Sequence, residues 1–170
     1  AFSIRDAYSG LGAAKAQPMR SQPHNYSALK HFAGVEAGRN PLIMVRSDAA
    51  PEITNAVEEL GWFPEPSLER HWPHNSVHER WISTLKGVAR AVLTQSGFEA
   101  VQAWPLAIEY APVALAISSP PPILEHEIGT PVEDEKRAQT CWRCHTGEAF
   151  EGPVQPFGRL VFYKPRFATH

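Results

Sequence analysis

Two acidic residues stand where carboxylates often carry out metal chemistry. Asp48 closely follows an apolar run at residues 42–45, and Glu79 opens a long amphipathic segment after a loop rich in proline and histidine. Carboxylate oxygens are ligands that Mg²⁺ and Mn²⁺ prefer. Two such ions about 3.5–4 Å apart can drive phosphoryl transfer. We therefore expect Asp48 and Glu79 to be catalytic metal ligands; the alternative is two unrelated surface acids.

The helix predicted to start near Glu79 carries polar groups along one side. At about 100° per residue, Ser83, Lys86 and Arg90 return close to the direction of Glu79, and the opposite side is apolar. A carboxylate followed by cations on one face is suited to hold a metal ion beside a phosphate. The alternative is an ordinary solvated helix face.

The segment before this helix is basic and rich in histidine. Its basic residues and one tryptophan are Arg70, His71, Trp72, His74, His78 and Arg80. Such a segment can contact a nucleic-acid backbone and stack a base on its indole. The alternative is a polar loop without a ligand.

A second motif, Cys141-x-x-Cys144-His145, matches the attachment pattern of c-type haem. As a zinc site it offers three ligands where structural zinc takes four, and His126 is a candidate for the fourth. A coincidental match is the third interpretation, and we prefer it.

Composition limits the class of protein. The chain has 170 residues, of which 43% are hydrophobic, and its net charge is −2. These values are typical of one globular domain, and any nucleic-acid contact must come from a local basic patch. No apolar run approaches the roughly 20 residues of a membrane span, so we expect no membrane partner. The chain begins at Ala1 inside a strand-like pattern, and we expect a fragment of a longer protein.

The periodicities predict an α/β fold, an RNase H-like mixed sheet flanked by helices. Strands are predicted at 2–4, 11–17, 42–45 and 160–163, the run at 42–45 being suited to a buried strand. Helices are predicted at 24–32, 52–60, 77–95 and 98–117, the last containing Pro105 and Pro112, which can kink or split it. Residues 118–140 are rich in proline and then acidic, which is typical of a linker.

These motifs, in order, resemble the integrase catalytic core of copia-type retrotransposons. Its R-S-D-N-G-G-E-F and P-Q-Q-N-G-V-A-E-R stretches resemble residues 46–52 and 73–80. Residues 85–97 resemble the family's M-A-R and L-x-x-A-G-L stretches, and residues 98–107 resemble its F-W-x-x-A stretch. Residues 6–10 resemble its D-D-Y-S-R stretch, and residues 155–161 its V-F-G-x-x-V stretch.

The resemblance implies an RNase H-like fold with a D-D-E metal site for Mg²⁺ or Mn²⁺. Asp48 matches the second Asp and Glu79 the Glu. Lys86 matches a DNA-contacting lysine of related integrases, and Asn75 matches the asparagine of the loop before the Glu. The predicted nucleic-acid-binding residues are Asn75, Lys86, Arg90, Arg80 and His74.

The implied reaction of the parent protein is 3′-end processing and strand transfer on DNA. The parent is expected to assemble as a homo-oligomer and to have no small-molecule substrate. A parent active in a eukaryote would be nuclear. The first Asp is expected upstream of Ala1, and N-G-G is replaced by Ala49-Ala50-Pro51. We therefore expect the fragment to be inactive alone. The alternative is a decayed or domesticated remnant that binds nucleic acid.

The predicted domain organisation has three parts. Residues 1–117 form the integrase core without its first strand, 118–140 the linker, and 141–170 a C-terminal extension with one short strand.

Overall fold

The computed structural model describes residues 1–34, 42–67, 76–122 and 139–159. Its strands are β1 (Phe2–Arg5), β2 (Gly12–Lys15), β3 (Met44–Ser47) and β4 (Phe63–Pro66). Its α-helices are α1 (Gln22–Ala33), α2 (Pro51–Glu59), α3 (Ser76–Ser96), α4 (Ala100–Ser118) and α5 (Cys141–Thr146). The mixed α/β class predicted from the sequence is confirmed. The predicted strand at 160–163 lies outside the described residues, as does most of the predicted linker.

The described strands form two separate sheets. β1 and β2 make an antiparallel hairpin in which Phe2 pairs with Lys15 and Arg5 with Gly12. β3 and β4 are parallel and are connected through α2, as a parallel pair requires. A single mixed sheet was predicted; in the described part of the chain no strand pairs with both β1 and β3, so this expectation was wrong.

Two hydrophobic clusters hold these elements together. In the first, α3 and α4 pack on β2, and in the second, α1 and α2 pack on β1, β3 and β4. The first cluster contains Ala14, Trp81, Leu85, Ala89, Leu93, Ala103, Ala107, Ile108 and Ala111. Its many alanines let α3 and α4 approach closely. The apolar stripe predicted for α3 is thus confirmed as its buried side.

α4 is one continuous helix although Pro105 and Pro112 lie inside it. Each proline removes one backbone hydrogen bond, and α4 packs on α3 and β2 along its length; of the two outcomes considered for the prolines, a split does not occur. α4 is apolar nearly all round, and Val101 and Leu106 on its outer side are exposed. No helix among the described residues is both long enough and apolar enough to cross a membrane.

The apolar run at 42–45 is not a fully buried strand. β3 begins only at Met44, which is 65% exposed, and Leu42 is 83% exposed. Ile43 and Val45 pack on the second hydrophobic cluster. Alternate residues of a strand face opposite sides, and only one side of β3 is covered in the described structure.

Residues 139–159 fold back onto the core. Phe157 packs edge-on against Phe98, with ring centroids 6.3 Å apart, and lies 5.5 Å from the ring of Tyr110. The Tyr110 hydroxyl donates a hydrogen bond to the Gln155 carbonyl (3.1 Å). These contacts fasten residues 155–158 across the junction of α3 and α4.

Candidate functional site

Asp48 lies directly after β3, at the carboxyl end of the strand, and its side chain is exposed. α2 begins three residues later at Pro51, and the Ala50 carbonyl accepts hydrogen bonds from the Ile53 and Thr54 amides. Pro51 has a backbone φ suited to the first turn of a helix. The residues that replace N-G-G therefore form the start of a helix.

Glu79 lies in the first turn of α3 and is exposed. A carboxylate at this position is favoured by the positive end of the helix dipole. The predicted position of Glu79 at a helix start and that of Asp48 at a strand end both agree with the structure. Their metal-binding and catalytic roles stay predictions.

Both acids act on the pKa of the His78 imidazole. Burial and then the Arg5 guanidinium lower the pKa of His78, while the carboxylates of Asp48 and Glu79 act in the opposite direction without overcoming them. Charges act appreciably on a pKa only from nearby. Asp48, which follows β3, and Glu79, the next residue of α3, thus both act on the pKa of this one side chain.

His78 is held against the β1–β2 hairpin. Its Nε2 atom lies 3.2 Å from the Ser3 hydroxyl, and its ring is tilted against the Trp81 indole at a centroid distance of 5.5 Å. The indole in turn covers Gly12, where an added Cβ would collide with it. The first turn of α3, and with it Glu79, is thereby fixed on the hairpin.

Sequence reasoning missed two residues of this site, Ser3 and Arg5. They alternate along β1 with Phe2 and Ile4, which pack on the second hydrophobic cluster. The alternation of polar and apolar residues was the available signal, since it gives β1 a polar face. It does not say which helix that face meets.

The cations predicted to bind nucleic acid are solvent-accessible where the structure describes them. Ser83, Lys86 and Arg90 lie exposed along α3 on the side of Glu79, and Arg80 is exposed in the same helix. His74 and Asn75 lie outside the described residues, as do the other members of the basic segment at 70–72. The structure therefore brings together a carboxylate and a line of cations, whose binding role stays a prediction.

The residues at this site fit a divalent ion only in part. Asp48 and Glu79 are donors of the right type for Mg²⁺ or Mn²⁺. Among the described residues, however, no three or more histidine, cysteine, aspartate or glutamate side chains are grouped as a metal site. The described donor set is therefore incomplete.

The Cys-x-x-Cys-His motif serves another role. The buried Cys141 thiol donates a hydrogen bond to the Pro120 carbonyl (3.2 Å). His145 Nδ1 lies 3.2 Å from the Ser9 hydroxyl and 3.6 Å from the Asp6 carboxylate. These contacts dock α5 on the β1–β2 turn.

Burial, followed by the nearby Asp6, raises the pKa of the Cys144 thiol. Cysteines bind zinc as thiolates, and among the described residues no three metal-ligating side chains are grouped; the zinc interpretation loses support, and the haem interpretation stays a prediction. The proposed fourth zinc ligand, His126, lies outside the described residues.

Comparisons with known proteins agree with the fold. No protein-family model and no curated protein matches the sequence. A chain of the simian T-cell lymphotropic virus intasome, solved in complex with the PP2A regulatory subunit B56 gamma, has a TM-score of 0.59 and 15% identity, over 94% of this chain and 52% of that one. The catalytic core domain of BIV integrase has a TM-score of 0.51 and 21% identity, over 73% of this chain and 84% of that one.

These similarities show a fold like that of retroviral integrase catalytic cores. The chain spans about half the length of the intasome chain that it matches. The integrase-like fold expected from the sequence motifs is thus confirmed at the level of fold.

Proposed function

We propose that this protein is an integrase-type core that binds DNA, from a retroelement of the copia type. The observation that carries the proposal is the position of Asp48 directly after β3 and of Glu79 in the first turn of α3, in a chain with a fold like that of integrase cores. In the complete protein this core would take part in 3′-end processing and strand transfer. Assembly as a homo-oligomer is part of the proposal, since one similar chain comes from an intasome.

DNA binding rests on the exposed face of α3. The net charge of −2 gives no overall attraction for a polyanion, so the attraction must be local. Lys86 and Arg90 supply two cations about one helical turn apart on the side of Glu79. In the proposed complex they contact phosphates of a strand that passes the two carboxylates.

Asp48 and Glu79 would hold a divalent ion, Mg²⁺ or Mn²⁺. Such an ion, when bound, supplies positive charge that stabilises the phosphoryl group. The proposal needs one further ligand, which we place on a strand between β1 and β3. Both of these strands are edges in the described sheets, and Phe2, Ile4 and Val45 pack on one hydrophobic cluster. A strand inserted there would unite the two sheets.

Fluorescence anisotropy with a labelled DNA duplex tests the proposal. Wild-type chain should bind, and Lys86→Ala/Arg90→Ala should weaken binding equally for unrelated sequences. The slope of log affinity against log salt should become shallower by about two, because each phosphate contact contributes about 0.9. Arg20→Ala, which removes an exposed cation outside α3, is the matched control. No binding by wild type, or an equal effect of the control, would reject the proposal.

A decayed core that binds DNA without catalysis is the second candidate. It is favoured by residues 49–51, where a helix start replaces the glycines that the family has beside its metal site. Transfer of the N-G-G sequence into the complete parent distinguishes the two candidates. Strand transfer that appears only after this replacement would indicate decay.

A further inference from the structure

The Nε atom of Arg5 has no hydrogen-bonding partner among the described residues. Its guanidinium carbon lies 5.8 Å from the centre of the Trp81 ring, and its Nε atom is buried and unpaired. The same indole contacts His78, which neighbours Glu79 in the chain. The charge of Arg5 thus lies near the first turns of α3, and within the described structure no carboxylate forms a salt bridge with it.

A buried donor that lacks an acceptor is destabilising relative to a paired one. Arginine is rarely left so, because its planar group carries five donors in a fork that matches the oxygens of a carboxylate or phosphate. Contact with the Trp81 ring holds the guanidinium in place, and its Nε donor has no acceptor among the described residues. The arrangement indicates a site prepared for an oxyanion.

We propose that Arg5 binds a phosphate of the DNA backbone beside Asp48 and Glu79. The inference rests on the proposed function and adds to it a contact from β1, an element distinct from α3. A cation bound by the two carboxylates would remove their repulsion toward an incoming phosphate. Arg5 then holds the phosphate closest to the acids. Lys86 and Arg90 lie about 10 and 16 Å further along α3 and hold flanking phosphates.

The geometry of the fork predicts that lysine cannot replace Arg5 fully. Arg5→Lys keeps the charge but loses the bidentate contact and the planar stacking on Trp81. Arg5→Met keeps much of the apolar stem and loses the charge. Relative to wild type, Arg5→Met should weaken binding of a DNA duplex about tenfold and make the salt slope shallower by about one. Arg5→Lys should keep the slope and weaken binding two- to fivefold.

Two arms of the experiment separate the sources of the phosphate. In the whole chain with ¹⁵N-labelled arginine, the Arg5 Nε–Hε NMR signal is followed while a short DNA duplex or inorganic phosphate is added. The proposal expects the signal to shift and its solvent exchange to slow with DNA at micromolar concentration. A shift with inorganic phosphate at lower concentration than with DNA would assign Arg5 to a free anion and overturn the proposal.

The variants complete the test, with Arg20→Met as the matched control. If Lys86→Ala weakens binding while Arg5→Met changes neither affinity nor slope, this inference is wrong and the proposed function stands. If wild type binds no DNA, both are wrong. Should Arg5→Met lower the melting temperature so far that binding cannot be measured, the NMR signal of the wild-type chain decides, because it requires no substitution.

Discussion

The His78 imidazole lies against the Trp81 indole with the two ring centroids 5.5 Å apart, and both belong to the first turns of α3. The indole also covers Gly12 of β2. Through this contact the hairpin fixes the position of the helix that carries Glu79. The position of Glu79 in the candidate site therefore depends on the packing of Trp81 against the hairpin.

Substitution of Gly12 tests this packing. Gly12→Ala places a methyl group against the Trp81 indole and should reduce the free energy of unfolding by about 1–3 kcal/mol, the usual cost of overpacking. Urea denaturation gives this value directly. Gly87→Ala is the control with the opposite sign, since nothing lies within 4 Å of a Cβ there and alanine in a helix interior is better than glycine by about 0.5–1 kcal/mol. If Gly12→Ala left the free energy of unfolding unchanged, the packing of Trp81 would not depend on its contact with the hairpin.

Removal of either acid should weaken binding of a divalent ion. Asp48→Asn or Glu79→Gln takes away a charged oxygen donor, and we expect Mn²⁺ affinity, measured by calorimetry, to fall at least tenfold. Both side chains are exposed, so the melting temperature without metal should change little. Glu58→Gln on α2 is an exposed acid for comparison. Equal losses in all three variants would indicate nonspecific binding.

Residues 1–170 alone should not cut or join DNA with Mg²⁺ or Mn²⁺. Two-metal chemistry needs every ligand in place, and the described residues offer two carboxylates without a third metal ligand near them. A gel assay with labelled duplex measures both reactions. Cleavage that disappears in Asp48→Asn would contradict the prediction and show that a ligand had been missed.

Asp6 should make stability depend on pH in the acid range. Burial alone would raise the pKa of Asp6, but hydrogen bonds from Ser9 and Tyr8, with nearby His145, outweigh it and lower the pKa below the ordinary value. A lowered folded-state pKa contributes stability above the unfolded pKa of about 3.9, and this contribution is lost as pH falls through the folded value.

Urea unfolding of wild type and Asp6→Asn between pH 7 and pH 2 checks the sign. The advantage of wild type should be full at pH 7 and should shrink below about pH 4. Glu58→Gln, whose acid is exposed, controls for the general effect of acid. An advantage that grows on acidification would refute the assignment.

Local periodicity explains what could be predicted from the sequence. Trp81, Leu85 and Leu93 repeat at helical spacing, and this repeat suffices to predict α3 and its buried side. The apolar run at 42–45 misled because burial depends on what covers a strand. Met44 faces away from the elements that cover Val45.

The candidate site was predicted only in part for the same reason. Asp48 and Glu79 could be recognised because their positions at a strand end and a helix start follow from nearby residues and from the resemblance. Ser3 and Arg5 could not, because their role depends on the meeting of β1 with α3, which lies about 75 residues further along the chain. Contacts between distant segments leave little trace in either partner's own sequence.

The docking of α5 has a consequence for the order of folding. Ser9 and His145 are 136 residues apart in sequence, whereas the hairpin and the β3–α2–β4 unit close over short loops. Closing a longer loop costs more chain entropy, so the core can fold before α5 docks on the β1–β2 turn. The segment that docks last would then also detach most readily, and α5 would undock and redock while the core remains folded.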